Sequence, residues 1–348
     1  MDVINNIFLI GRQIIATVLG FFLPLPVVDA VIAIISMALV LGFAAVTMMG
    51  QVYVERRVLG FMQDRKGPNR VGPFGLLQII ADAIKLLTKE DIMPSRVDRM
   101  VFRLAPIVVV ATALLIWAVV PLGRGMIIAD LNIGILYVIS ISSVGVLGFL
   151  MAGWSSNNKY ALLGSMRAAA QMVSYEIPLV LSIIGIIMLT GSLSTVSIVN
   201  AQAGLWFVIW QPLGFVIYFI SAVAEINRSP FDLVEGESEI VAGYFIEYSG
   251  MRFALFYLGE YISAFAMSAI ATTLFLGGWQ GPILPPYIWF VIKAWAVFIV
   301  LIWIRATLPR LRVDQLMGLA WKVLIPLALI NIFVTAVVLV PLFQSVAK

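Results

Sequence analysis

Apolar runs close to the roughly 20 residues needed to cross a bilayer recur along the whole chain. They centre on residues 30–53, 101–121, 132–153, 173–191, 205–225, 253–276, 287–304 and 319–342. This pattern predicts an all-α fold, a polytopic membrane helix bundle of about eight transmembrane helices. Residues 14–28 are also apolar, but Arg12 precedes them and Pro24 and Pro26 interrupt them. That predicts an N-terminal interfacial segment over 1–29 instead of a ninth span. A different pattern runs over 74–89, where Gln78, Asp82, Lys85 and Lys89 follow one another at helical spacing and share a face. Leu76, Ile80, Ala83, Ile84 and Leu87 cover the other face. A segment this short and this charged does not span; it reads as an interfacial amphipathic helix, the alternative being an ordinary surface connector.

Composition supports a membrane protein without a separate soluble domain. The chain is 62% hydrophobic and 11% charged, against about 45–50% and about 25% for soluble domains, so 1–348 reads as a single membrane domain. It contains no cysteine and no histidine. Thiolate-held iron–sulfur clusters, haem on paired imidazoles, zinc sites of the usual nitrogen and sulfur type and His-activated nucleophiles are thereby excluded. If the protein takes part in electron transfer, its partners hold the metals. No phosphate cradle of the GxxxxGK[ST] or GxGxxG type occurs, which argues against nucleotide binding. The first residues show no basic n-region or small-residue cleavage site, so the first span is expected to act as the insertion signal.

Charge placement adds orientation. The loops 54–103, 154–172, 226–252 and 305–322 hold 18 of the 22 Lys and Arg residues, leaving Arg12, Arg124, Lys293 and Lys348 elsewhere. Basic residues mark the cytoplasmic side, or the matrix side in an organelle, so both termini are expected on the opposite side. The net charge of +4 follows from this bias, and no aromatic-interleaved basic stripe points to nucleic acid.

The acids do not follow from the same rule. Glu176, Glu225 and Glu260 lie near or inside spans, where an acidic residue disfavours insertion by roughly 2.5–3.5 kcal/mol. Such residues usually face the bundle interior and mark proton or ion paths; interfacial snorkelling or a plain ion pair is the alternative. The loop 226–252 carries five acids and two bases. Within it Asp232, Glu235 and Glu239 suit one helical face, while Glu235, Glu237 and Glu239 suit an extended segment. Like charges this close disfavour joint ionisation, although a solvated acidic face would look the same. Opposing bases stand in the inner loop 54–100, at Arg56, Arg57, Arg65, Lys66 and Arg70, and later at Arg305, Arg310 and Arg312. Gly67-Pro68-Asn69 and Gly72-Pro73 give the first of these loops specified turns and suggest an ordered docking surface.

At these residues the chain resembles a known family of respiratory complex I, the H subunits of bacterial NADH-quinone oxidoreductase and the equivalent mitochondrial NADH dehydrogenase subunit 1. The resemblance rests on 55–66 followed by Gly67-Pro68-Asn69, on the helix over 76–91, and on 157–164 leading to Arg167 and Tyr175-Glu176. It continues in the loop 224–239 and in 303–307 with Pro309-Arg310. It covers about residues 30–325. It implies a membrane-arm subunit that helps form a quinone chamber, with quinone as a substrate and no cofactor held by this chain alone. Its partners would be the other membrane subunits, membrane lipid, and the soluble quinone-chamber and iron–sulfur subunits of the peripheral arm. The location implied is a bacterial inner membrane or the mitochondrial inner membrane. The resemblance assigns Arg56, Arg65 and Asp82 to the quinone entrance. To an acidic path for coupling quinone reduction to proton translocation it assigns Glu176, Glu225, Glu235, Glu237 and Glu260, with Arg167 and Arg228 as countercharges. Two other readings stand beside it. One is the homologous component of a membrane-bound hydrogenase or ferredoxin-linked complex; the other is a stand-alone ion-coupled transporter using the intramembrane Glu residues and Lys293. Against the transporter, no inverted repeat is visible.

Overall fold

The computed structural model describes residues 7–21, 24–234 and 241–346, and they are helical or looped throughout. The helices are α1 (Ile7–Gly20), α2 (Leu25–Met62), α3 (Gln78–Thr88), α4 (Arg99–Leu115), α5 (Gly134–Ser155) and α6 (Lys159–Thr190). They continue as α7 (Thr195–Ala201), α8 (Phe207–Trp210), α9 (Pro212–Glu225), α10 (Gly250–Phe275) and α11 (Pro286–Thr307). A last helical run, α12 (Val313–Phe343), contains two wider turns at Leu319–Leu324 and Thr335–Leu339.

Seven of these helices are long and apolar enough to cross a membrane, among the described residues. The fifth predicted span departs from that pattern: α8 and α9 cover 207–225 but break at Gln211 (φ −133°, ψ 61°). Pro212 supplies no N–H to continue the ladder. The Gln211 side chain occupies the gap, donating to Thr335 Oγ1 (2.9 Å) and accepting from Asn331 Nδ2 (3.3 Å). Among the described residues the bundle is thus seven long apolar helices and one shorter, interrupted helix.

Packing explains where the hydropathy is greatest. α6 and α10 form the centre, with more than half of their most apolar stretches buried, whereas α2 and α12 are mostly exposed. α6 packs on α5, α9 and α12; α10 packs on α4, α11 and α2. The outer helices carry the highest hydropathy and α10 the lowest. Lipid requires uniform oil, and a helix surrounded by protein does not.

Alternation of the spans gathers the charged loops on one face. There Asp98 N donates to Ser155 O (3.1 Å) and Leu311 N to Pro230 O (3.1 Å). Arg310 pairs with Asp232 (2.9 Å) and Arg252 with Asp91 (3.0 Å). The first of these loops returns tightly on α2, because a Cβ on Gly60 would stand 2.9 Å from Gly67 N. A secondary apolar cluster anchors the chain that follows the acidic segment, Tyr248 stacking on Phe102 at 4.0 Å between ring centroids.

Helix α3 lies beside α2 and α10 with no residue buried. Gln78, Ile79, Asp82 and Leu86 are its partly covered positions, while Ile80, Ile84 and Leu87 are exposed. The edge that meets the protein is thus mixed, Gln78 and Asp82 beside Ile79 and Leu86, while the apolar positions Ile80, Ile84 and Leu87 are free to meet lipid.

Candidate functional site

Helix α9 ends at Glu225, and the chain then reverses through Asn227, whose φ of 53° is left-handed. Arg228 N reaches back to Val223 O (3.3 Å). Gln171 on α6 holds the reversal by donating its amide to Ala224 O (2.7 Å) and Phe231 O (2.9 Å). This turn sends Arg228 into the bundle instead of out into the loop.

There Arg228 is the centre of a buried ionic cluster. Its Nη1 donates to Glu55 Oε2 (2.9 Å) and its Nε to Glu260 Oε1 (2.9 Å). Its Cζ lies 4.3 Å from the Tyr261 ring centroid, and Arg305 donates to the other oxygen of Glu55. Two acids and two arginines balance, which is what makes burial tolerable. Burial alone would lower the Arg228 pKa, but the facing Glu55 and Glu260 carboxylates raise it above its ordinary value, so it stays charged.

A second acidic group has no base. Glu225 is buried; Ser142 lines the same cavity, and Glu176 is its electrostatic neighbour. Its Oε2 has no partner, and Ser143 donates to Glu176 Oε1. No ion pair reaches either glutamate among the described residues.

A cavity touches both groups. Ser142, Glu225, Asn227, Glu260 and Ser263 line it, and about 50 Å³ of it is open to the centre of a water molecule. That is space for a few waters with polar partners at both ends. Along the bundle, Glu176 neighbours Glu225, the cavity connects Glu225 to Glu260, and Arg228 connects Glu260 to Glu55.

At the protein's charged face Arg56 pairs with Asp82, and Gln78 Nε2 donates to the other Asp82 oxygen (3.0 Å). Arg65 is exposed and donates to Gln63 (2.8 Å). Burial is the largest single influence on Asp82 and raises its pKa, but the hydrogen bonds from Arg56 and Gln78 and the charges of Arg56 and Lys85 together outweigh it and leave the value lowered. A lowered folded value means that the contact is fully present above the usual carboxylate range and is lost as pH falls through the lowered value. Acidification below about pH 4 is therefore expected to loosen α3 from α2. Hydrogen exchange of α3 measures this, and Asp82→Asn should remove the pH dependence; equal acid sensitivity in the variant would assign it elsewhere.

The structure brings together Glu225 with Glu176 and Glu260 with Arg228, all named from the sequence, and pairs Arg56 with Asp82. It places Arg228 as countercharge to Glu55 and Glu260, while Arg167 lies partly buried on α6, nine residues before Glu176. Glu235 and Glu237 lie outside the described residues. Glu55, Tyr261 and the Ser142-Ser143 pair are site residues that sequence reasoning does not single out, and Arg305 is named from the sequence only as one of the opposing bases. The two serines inside an apolar span are the one visible signal, since each hydroxyl there needs a partner.

The sequence model of the NADH dehydrogenase family matches residues 34–336. The chain belongs to the NADH dehydrogenase family. Relatives in this family include the H subunit of NADH-quinone oxidoreductase from Dehalococcoides mccartyi strain CBDB1, 58% identical over 303 residues, which are 87% of this chain and 86% of that protein. The second of the numbered H subunits of NADH-quinone oxidoreductase from Geobacter sulfurreducens is 54% identical over 297 residues, 83% of this chain and 90% of the relative. The H subunit from Brevibacillus brevis is 53% identical over 312 residues, covering 88% and 91%. Membership of the NADH dehydrogenase family makes the chain a multi-pass membrane component of an oxidoreductase, and the matched region contains every side chain of both acidic groups.

Proposed function

We propose that the chain forms the membrane wall of a quinone chamber in an NADH-quinone oxidoreductase and passes the charge change of quinone reduction into the bilayer through its glutamates. One observation supports this reading: Glu225, the neighbour of Glu176 in an acid pair without a base, lines the same small cavity as Glu260, a member of the balanced cluster with Glu55, Arg228 and Arg305. Quinone reduction takes two electrons and two protons. In this reading the electrons come from clusters on a soluble partner, since a chain without cysteine or histidine has no ligands to hold such clusters itself. Proton withdrawal beside the charged face changes the net charge that Arg228 experiences, and the unpaired Glu225 is the group free to answer it.

In this reading Arg56, Arg65 and Asp82, with α3, border the quinone entrance, and the acids of 232–239 connect the chamber to Glu225. Soluble partners dock on the face carrying both charge signs, other membrane subunits cover outer helices, and lipid meets the apolar edge of α3. The basic loops face the cytoplasm or matrix, which puts both termini on the other side.

Photo-crosslinking the intact complex with a quinone analogue, followed by peptide mapping, tests the chamber. Labelling is expected within residues 55–90 and to be competed by excess quinone. Labelling confined to other subunits would remove this chain from the quinone site.

A further inference from the structure

Lys293 lies two turns inside α11, at the end of the bundle opposite the charged loops, and is buried. No acid pairs with it among the described residues. Instead its Nζ donates to Leu276 O (2.6 Å), Gln280 O (2.6 Å) and Gly278 O (3.2 Å). It also stands 4.3 Å from the ring centroid of Trp206 and 5.9 Å from that of Trp289. An ammonium has three N–H donors and no acceptor. Here three carbonyls meet those donors and indole faces complete the enclosure.

The turn that supplies these carbonyls is shaped independently of the lysine. Gly277 and Gly278 have φ of 73° and 50°. A Cβ at Gly277 would lie 2.8 Å from Trp206, and one at Gly278 would lie 2.6 Å from Val199. From the other side Gln202 Oε1 accepts from Gly277 N (2.8 Å) and Phe207 N (3.3 Å), while its Nε2 donates to Thr273 O (2.9 Å). Gln202 thus takes up N–H groups at the turn and leaves its carbonyls converging on the space that Lys293 fills.

We propose that the 276–280 turn, with Trp206 and Trp289, is a receptor for a primary alkylammonium, filled by the chain's own Lys293, and that this closure fixes the far end of α10. Helix α10 carries Glu260 about 24 Å away, at 1.5 Å per residue over the intervening helix. Lys293 is in this account an anchor and takes no part in proton transfer.

The test uses Lys293→Ala in the intact complex. The deleted atoms are those of n-propylammonium. The thermal unfolding midpoint of the variant is expected about 5 °C below that of the parent, with n-propylammonium at millimolar concentration restoring at least half of the shift. Tetramethylammonium, which has no N–H donor, should restore none. Below the transition, protons pumped per electron should match the parent. An unchanged midpoint, or equal restoration by tetramethylammonium, would overturn the receptor. Lost pumping at an unchanged midpoint would instead place Lys293 in the proton path. If the alanine variant does not accumulate, Trp206→Leu, which keeps the lysine, should show a lowered midpoint that n-propylammonium leaves unmoved; a parental midpoint there would equally refute the proposal.

Discussion

Arg228→Met is expected to strip the protein of about 3–5 kcal/mol, the scale of breaking a buried ion pair from one side, and to deplete the assembled complex from the membrane. Arg228 serves Glu55 and Glu260 at once from a site where its own side chain is almost wholly buried. Its removal leaves two carboxylates against the single charge of Arg305, a net of −1 inside the bundle. The position of Arg305 predicts which second change repairs this. Arg305 donates to Glu55, so Arg228→Met with Glu260→Gln leaves one intact pair and a neutral amide. Arg228→Met with Glu55→Gln is also neutral, but it removes the charge that pairs with Arg305 and leaves Glu260 without a hydrogen-bonded base. Native gels and thermal midpoints of the purified complex should therefore rank the Glu260→Gln double variant above the Glu55→Gln one, and both above the single change. Accumulation of Arg228→Met at the parental level would show that the cluster contributes little to stability. Arg228→Lys is expected to fall short of the parent, because one ammonium does not reproduce a guanidinium that donates from both Nε and Nη1 while lying on the Tyr261 ring.

This cluster also shows what is legible in the sequence. Hydropathy locates the spans, and charge counting gathers the loops on one face, because lipid and water impose those patterns one residue at a time. Glu55 is less visible: the apolar run ends near 53, so the acid reads as the start of a loop, whereas α2 continues helically to Met62. A buried acid is accommodated there by Arg228, 173 positions away, and Arg305, 250 positions away. No local pattern carries such a pairing. The early start of α6 at Lys159 has a local cause, the Asn158 side chain accepting from Tyr160 N at 2.9 Å. It escapes hydropathy windows, which respond to oil and not to caps. Gln211 is the converse case. Within a run of high mean hydropathy, Gln211-Pro212 gives a helix break that Pro212 permits and that Asn331 and Thr335, far along the chain, make tolerable by hydrogen bonding the glutamine. Glu225 and Glu260 stand out because acids in oil are conspicuous; that one has no base and the other sits in a balanced cluster becomes visible only in three dimensions.

Glu225→Gln is expected to do the reverse of Arg228→Met, sparing assembly while abolishing most coupling. Glutamine has nearly the same volume, and its amide can hydrogen-bond as well as the carboxylate does. No ion pair is lost, since none is made, and Oε2 has no partner to forfeit. What disappears is the capacity to bind and release a proton between Glu176 and the cavity. Groups that transfer protons commonly contribute about 100-fold or more to a rate, so a fall of at least about 10-fold in coupled quinone reduction is expected even if water in the cavity partly substitutes. Glu225→Asp keeps the acid but withdraws it by one methylene, and should fall between the parent and the glutamine variant. Purified complex in sealed vesicles provides the measurement: quinone reduction with and without an uncoupler, and protons moved per electron. If Glu225→Gln and Glu260→Gln together left turnover and pumping at the parental values, charge would pass through the bundle by some other route, and the cavity between these two carboxylates would be only a packing defect.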